Sequence, residues 1–116
     1  MGYIALTVRS DAPEAPLSPF FAKAGGLLLV DPSIHARVYL ANPGGAKDWA
    51  CEEILRREVS KVLCGFIGAA CLRRFTVAGV DVRLGPCSVP AESLIDTFKS
   101  LPKAVGPATG RRKRAR

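Results

Sequence analysis

The residues of this chain best suited to chemistry are its four cysteines, Cys51, Cys64, Cys71 and Cys87. A thiolate is a nucleophile and a ligand for soft metals and iron–sulfur clusters. The gaps between them are 12, 6 and 15 residues, so no CxxC pair and no zinc-finger spacing is present. That spacing speaks against a structural zinc site. No basic stretch precedes the short apolar run near the N-terminus, which reads as a strand and not a secretion signal; a cytoplasmic protein with reduced thiols is expected. Disulfide pairing is left open by the sequence. The second chemical feature is Gly65-Phe66-Ile67-Gly68, a glycine-flanked turn just after Cys64. If a helix follows it, free backbone N–H groups and a positive dipole end would face an anionic ligand there. The same two glycines also suit an ordinary tight turn.

Familiar catalytic arrangements are missing. There is no P-loop, GxGxxG or HExxH. Two-metal nuclease chemistry needs clustered carboxylates. The first strand, IALTVRS, has none, Asp11 falls in the loop after it, Asp81 sits far along the chain, and Glu52 and Glu53 lie on a polar helix face. A Ser/His/Asp triad would have to recruit His35, the only histidine, from a turn where exposure is expected. The chain is not expected to be an enzyme.

The elements that must position the thiols follow from periodicity. Ile4, Leu6 and Val8 alternate with polar neighbours, a strand pattern. SDAPEAPLSP is a loop, and Ser18-Pro19 predicts a short helical turn over 19–24 with Ser18 as its cap. LLLVD (27–31) is a strand apolar on both faces, and 37–41 predicts its antiparallel partner. From about residue 47 the period becomes helical, with Ala50, Cys51, Ile54, Leu55 and Val59 on one stripe. Lys61–Cys64 predicts a strand, 69–77 a helix closed by Gly79, and Val80–Leu84 the last strand. Ala91, Leu94, Ile95, Phe98 and Leu101 predict a closing helix that ends at Pro102. The order β-β-β-α-β-α-β-α implies an α/β domain with a five-stranded mixed sheet flanked by helices, its last two strands joined by parallel crossovers.

In such sheets ligands bind beyond the carboxyl ends of the parallel strands. Cys64 ends the fourth strand and Cys87 follows the fifth, so both are candidate metal ligands at one crevice, with Gly65, Gly68 and Cys71 nearby as cofactor-binding candidates. Each thiol also has a plainer reading as a small core residue. For Cys51, on its helix's apolar stripe, that reading is preferred, and Cys71 leans the same way. Trp49, at a helix start, reads as a packing residue.

The chain resembles the dinitrogenase iron–molybdenum cofactor biosynthesis family, the NifX-type domain also found at the end of NifB proteins. The resemblance lies in IALTVRSD, LSPFFAKAGGLLLVD, VLCGFIGAAC, RRFTVAGVDVRLG and PAESLIDTFKSL, spanning about residues 3–101. It implies a ribonuclease-H-like fold. It also implies a protein that binds or carries an iron–sulfur or iron–molybdenum cluster, or a precursor, with nitrogenase cofactor assembly proteins or apo-dinitrogenase as partners. One departure stands out: where the family often reads His-Phe-Gly, this chain has Pro19-Phe20-Phe21, so the family's histidine is missing. A metal-free regulator within the same family is a further reading.

The chain has 116 residues, 48% apolar and 23% charged, the composition of one globular domain, and no apolar run long enough to span a bilayer. Its formal charge of +7 is unevenly spread. Six of the 17 Lys and Arg residues, Lys103, Arg111, Arg112, Lys113, Arg114 and Arg116, fall in 103–116, which has no carboxylate; the remainder carries 11 basic against 10 acidic residues. A single domain over 1–102 and a flexible basic tail over 103–116 are expected. Such a tail can aid solubility, or bind phosphates by counterion release. The alternative reading of the whole chain is therefore an interaction module whose tail binds nucleic acid or an acidic partner.

Overall fold

A computed structural model describes residues 3–104. Five strands form one mixed sheet: β1 (Ile4–Val8), β2 (Gly26–Asp31), β3 (Ala36–Ala41), β4 (Lys61–Cys64) and β5 (Asp81–Leu84), arranged in space as β3-β2-β1-β4-β5. β1 pairs antiparallel with β2, and β2 with β3, whereas β1–β4 and β4–β5 are parallel. The crossovers are helices α1 (Trp49–Arg56) and α2 (Ala69–Val77).

Strand alternation sends successive side chains to opposite faces and so builds two cores. Ala5, Leu27, Leu29, Val62 and Cys64 meet Ile54, Leu72 and Phe75 of the two helices on one face. Ile4, Leu6, Val8, Leu28 and Leu63 meet Leu17, Leu94 and Phe98 on the other. All six residues of β2 are buried: Leu27–Val30 form an unbroken apolar run between two neighbouring strands, and the carboxylate of Asp31 accepts from the Ser33 N–H and hydroxyl. Both helices end on the same device. In α2, Gly79 takes φ +79°, its N–H bonds Thr76 O at 3.1 Å, and Val80 N–H reaches Phe75 O at 2.9 Å. In α1 the equivalent place is held by Glu58 at φ +57°, with Glu58 N–H on Leu55 O at 3.1 Å and Val59 N–H on Ile54 O at 3.2 Å.

Three expectations need correction. The turn after Pro19 is a single 3₁₀ turn, Phe21–Lys23, and the Ser18 hydroxyl does not cap it but donates to Phe20 O at 3.0 Å. The closing helix is a 3₁₀ segment over Ala91–Ser100, non-helical at Thr97. Pro90, with no side-chain cap, precedes it, and Leu94, Ile95 and Phe98 still face the sheet. Third, the domain does not stop at 102. Lys103 bridges Arg83, Leu84 N–H donates to Pro102 O, and Ala104 N–H donates to Val82 O, both at 2.9 Å, so 102–104 line the outer edge of β5. The rest of the basic segment, including Arg111, Arg112, Lys113, Arg114 and Arg116, lies outside the described residues. Among the described residues, no helix is long and apolar enough to cross a membrane.

Candidate functional site

The chain turns toward β2 after β1 and toward β5 after β4, so the carboxyl ends of β1 and β4 flank the switch point of the sheet. Three loops converge there. Ser18 N–H donates to Thr7 O at 2.8 Å, which draws 15–18 over the end of β1. Phe66 N–H donates to Pro19 O at 2.8 Å and Phe21 N–H to Phe66 O at 2.7 Å, which ties that segment to the loop after β4. Gly85 N–H bonds Cys64 O at 3.0 Å, and Ala91 N–H bonds Ala15 O at 2.9 Å, which brings in the loop after β5.

Gly65 is what lets these loops close. A Cβ there would stand 2.6 Å from Ser18 O, 2.9 Å from Pro19 O and 3.0 Å from Cys87 Sγ. Gly68 does something different: nothing lies within 4 Å of where its Cβ would be. It is the N-cap of α2, no side chain caps the helix, and no acidic residue occupies the first turn. The N–H groups of Ala69, Ala70 and Cys71 therefore sit at an open, positively polarised helix end. Phe66, two residues before Gly68, and Phe20 packed against it are 62% and 51% exposed, with their rings edge-to-face at 6.0 Å. Val89, on the third loop, is also exposed.

The thiols divide. Cys64 and Cys87 do meet at this end of the sheet, but not as a ligand pair. Cys64 is fully buried, its Sγ donates to Arg83 O at 3.9 Å, and burial, with a smaller push from the Cys87 thiol, raises its pKa to about 12. A thiol so placed lies under its neighbours and presents no surface to the crevice. Cys87 is half-buried beside Gly65 and is the thiol a ligand could reach. Cys71 faces the α1–α2 contact, where burial and a hydrogen bond with Cys51 raise its pKa. Cys51 is core, as expected. Among the described residues no group of three or more His, Cys, Asp or Glu is disposed to hold a metal ion. His35 is exposed in the β2–β3 turn, far along the chain from the crevice.

Sequence reasoning missed the aromatic pair and one further group. A period-two reading of Gly-Phe-Ile-Gly would have put Ile67 in and Phe66 out, as found, and the same holds for Phe21 and Phe20. Thr7, alongside Cys64 on the helix-facing side of β1, is fully buried and its hydroxyl has no hydrogen-bond partner among the described residues. Nothing in the local sequence marks it.

The fold is a shared one. The apo form of the orange protein from Desulfovibrio gigas superposes with a TM-score of 0.78 at 22% identity, over 91% of this chain and 95% of that one. A Thermotoga protein provisionally named NifB and assigned to the DUF35 family gives 0.68 at 17% identity, over 86% and 89% of the two chains. A crystal structure of the protein designated PH0822 gives 0.72 at 16% identity, over 97% and 99%. At these identities the likeness is one of fold. No family model matches the chain, and no curated protein matches it in sequence.

Proposed function

We propose that this chain is a non-catalytic accessory protein that binds and carries an anionic metal cofactor, of the iron–sulfur or iron–molybdenum kind or a precursor of it, during nitrogenase cofactor assembly. Its partners in this reading are cofactor assembly proteins or apo-dinitrogenase, and its fold is taken as ribonuclease-H-like. The observation that carries the reading is the uncapped first turn of α2, opening at Gly68 just after the exposed, mutually packed pair Phe20 and Phe66 at the switch point of the sheet. Support comes from fold-level likeness to a protein solved in its apo form, a term for a protein that also takes a bound group, and to one provisionally named NifB.

The donor set defines how such a cargo would be held. Backbone amides and a helix dipole favour an anion without a covalent bond. Apolar rims exclude water and strengthen those hydrogen bonds. One accessible thiol, Cys87, supplies at most a single direct bond. These residues fit a releasable anion; they do not fit a cluster wired to one chain by several thiolates. The groups at the crevice bind and shield, and they include no carboxylate pair or general base.

The test is anaerobic reconstitution with iron and sulfide, with and without molybdate, followed by metal analysis and visible absorbance. Gly68→Asp is the decisive variant. An aspartate cap has room, should stabilise the helix by roughly a few tenths of a kcal/mol, and places a negative charge where the anion must sit. Uptake should fall at least about tenfold, a difference of about 1.4 kcal/mol, while the melting temperature holds or rises. Wild-type uptake by Gly68→Asp overturns the site; no uptake by the wild-type chain overturns the reading.

A second reading rests on charge. The cations of 103–116 would bind polyanions such as nucleic acid with affinity that drops steeply as salt rises. Deleting 105–116 should abolish that binding, and salt-independent binding would rule it out.

A further inference from the structure

The two edges of the sheet are treated differently. The outer edge of β5 is covered by the chain's own residues 102–104. The outer edge of β3 is covered by nothing among the described residues. It is a regular six-residue strand, Ala-Arg-Val-Tyr-Leu-Ala, with no proline, lysine or bulge. Those are the devices by which edges usually deter pairing. Its ladder to β2 continues past the strand as Asn42 N–H to Gly25 O, which orients Leu40, Val38 and Ala36 toward β2. The N–H and C=O groups of Arg37, Tyr39 and Ala41 therefore point outward. Beside them, Val38 is 42% exposed and Ile34, in the preceding turn, 65%. The only charge on the strand is drawn back: Arg37 bonds Asp11 at 3.2 Å and Glu92 at 2.9 Å in its own chain.

We propose that this edge pairs with β3 of a second copy of the chain, antiparallel about a two-fold axis, joining two five-stranded sheets into one of ten strands. A row of unpaired amides and carbonyls is complementary to another extended strand, and the four other strands are all engaged within their own sheet. The strand is self-complementary. With the axis at Val38, Val38 faces its own copy, Ala36 faces Leu40, and Arg37 faces Tyr39, so no like charges oppose. Charge on the larger scale agrees. Outside 103–116 the chain carries 11 basic and 10 acidic residues, so the bodies do not repel. Ala104, the last described residue, lies outside β5, five strand spacings or roughly 24 Å across the sheet from β3. Pairing through β3 keeps the two copies of Ala104 on opposite margins of the joined sheet.

The proposal does not depend on cofactor binding and is tested on the full-length metal-free chain. Light scattering after size exclusion and sedimentation equilibrium should show a dimer with a Kd below about 100 μM, little affected by salt. Val38→Lys should weaken it at least about tenfold while leaving the thermal melt unchanged at concentrations well below the Kd, where both chains are monomers, because Val38 is surface-exposed in the single chain. Hydrogen exchange at the amides of Arg37, Tyr39 and Ala41 should slow as concentration rises, and those of β5 should not respond. A wild-type chain that stays monomeric at several times that concentration overturns the proposal. So does a dimer that Val38→Lys leaves intact, or one in which the three amides exchange freely.

Discussion

Cys64 and Gly65 are adjacent and answer to different constraints. Cys64 is held as a small buried apolar group, and its thiol is neutral in the folded chain. Its folded pKa of about 12 lies above the unfolded value of about 8.5, so unfolding releases a proton once pH exceeds the unfolded value. Below that pH the thiol contributes no pH dependence; between about 8.5 and 12 stability must decline as pH rises. Chemical denaturation across that range should show the decline in the wild type and a shallower one in Cys64→Ala. That variant should also lose about 1–2 kcal/mol at neutral pH, from the cavity left by the sulfur. Gly65 answers to space. Gly65→Ala pushes a methyl toward two carbonyl oxygens and a sulfur, and about 1–3 kcal/mol of stability should be lost. Thiol labelling of Cys87 should quicken in the same variant, because the loops over it no longer close; unchanged labelling and stability would show that the loops yield freely.

The two helices repeat one C-terminal design with one imperfection. Gly79 takes its left-handed conformation without strain, whereas Glu58 takes nearly the same conformation with a side chain. Replacing Glu58 by glycine should stabilise the fold by about 0.5–1 kcal/mol, the left-handed penalty less the entropy a glycine adds to the unfolded chain. Gly79→Ala should cost about 1 kcal/mol. Urea titrations of the pair, expected to move in opposite directions, check the argument. On the sheet side of α2, Phe75 is fully buried and packs edge-to-face on Phe21 at 5.7 Å. Phe75→Ala should remove about 3–5 kcal/mol, enough to threaten a domain of this size.

Across the whole molecule, the closing segment is held by β5 as much as by the core. Arg83 donates to both oxygens of Asp81 and to the carbonyls of Lys99 and Leu101, and its guanidinium lies 5.3 Å from the Phe98 ring centroid. The pair holds the Asp81 carboxyl below its usual range, with Arg83 the main cause and burial opposing it. A lowered folded pKa means stability that is present above the ordinary carboxylate value and lost as pH falls through the folded one. Acid unfolding should therefore begin at higher pH in Arg83→Met than in the wild type. The difference should be modest, since Asp81 is partly exposed and water screens the pair. Coincident acid transitions would show that the staple does not act through charge.

Local pattern determined most of the architecture. Period-two alternation in Ile4–Val8, the unbroken apolar run of Leu27–Val30 and the helical stripe through Cys51 and Ile54 are each set by neighbours a few residues apart. Gly79 as a helix stop is likewise a local matter of backbone sterics. Pattern failed where the deciding contacts are distant. The closing stripe looks the same for an α-helix and a 3₁₀ segment, and Ser18 has the right type for a cap but its hydroxyl bonds Phe20 O instead. Tertiary structure alone decided the site. Both thiols could be traced to one end of the sheet from strand order, yet burial sealed one and left the other half-buried beside Gly65. That outcome depends on how 15–21, 65–68 and 85–91 fold over each other, through hydrogen bonds between residues tens of positions apart. The same holds for the sheet edges, since no short window of sequence states which strand lies outermost or which one the chain returns to cover.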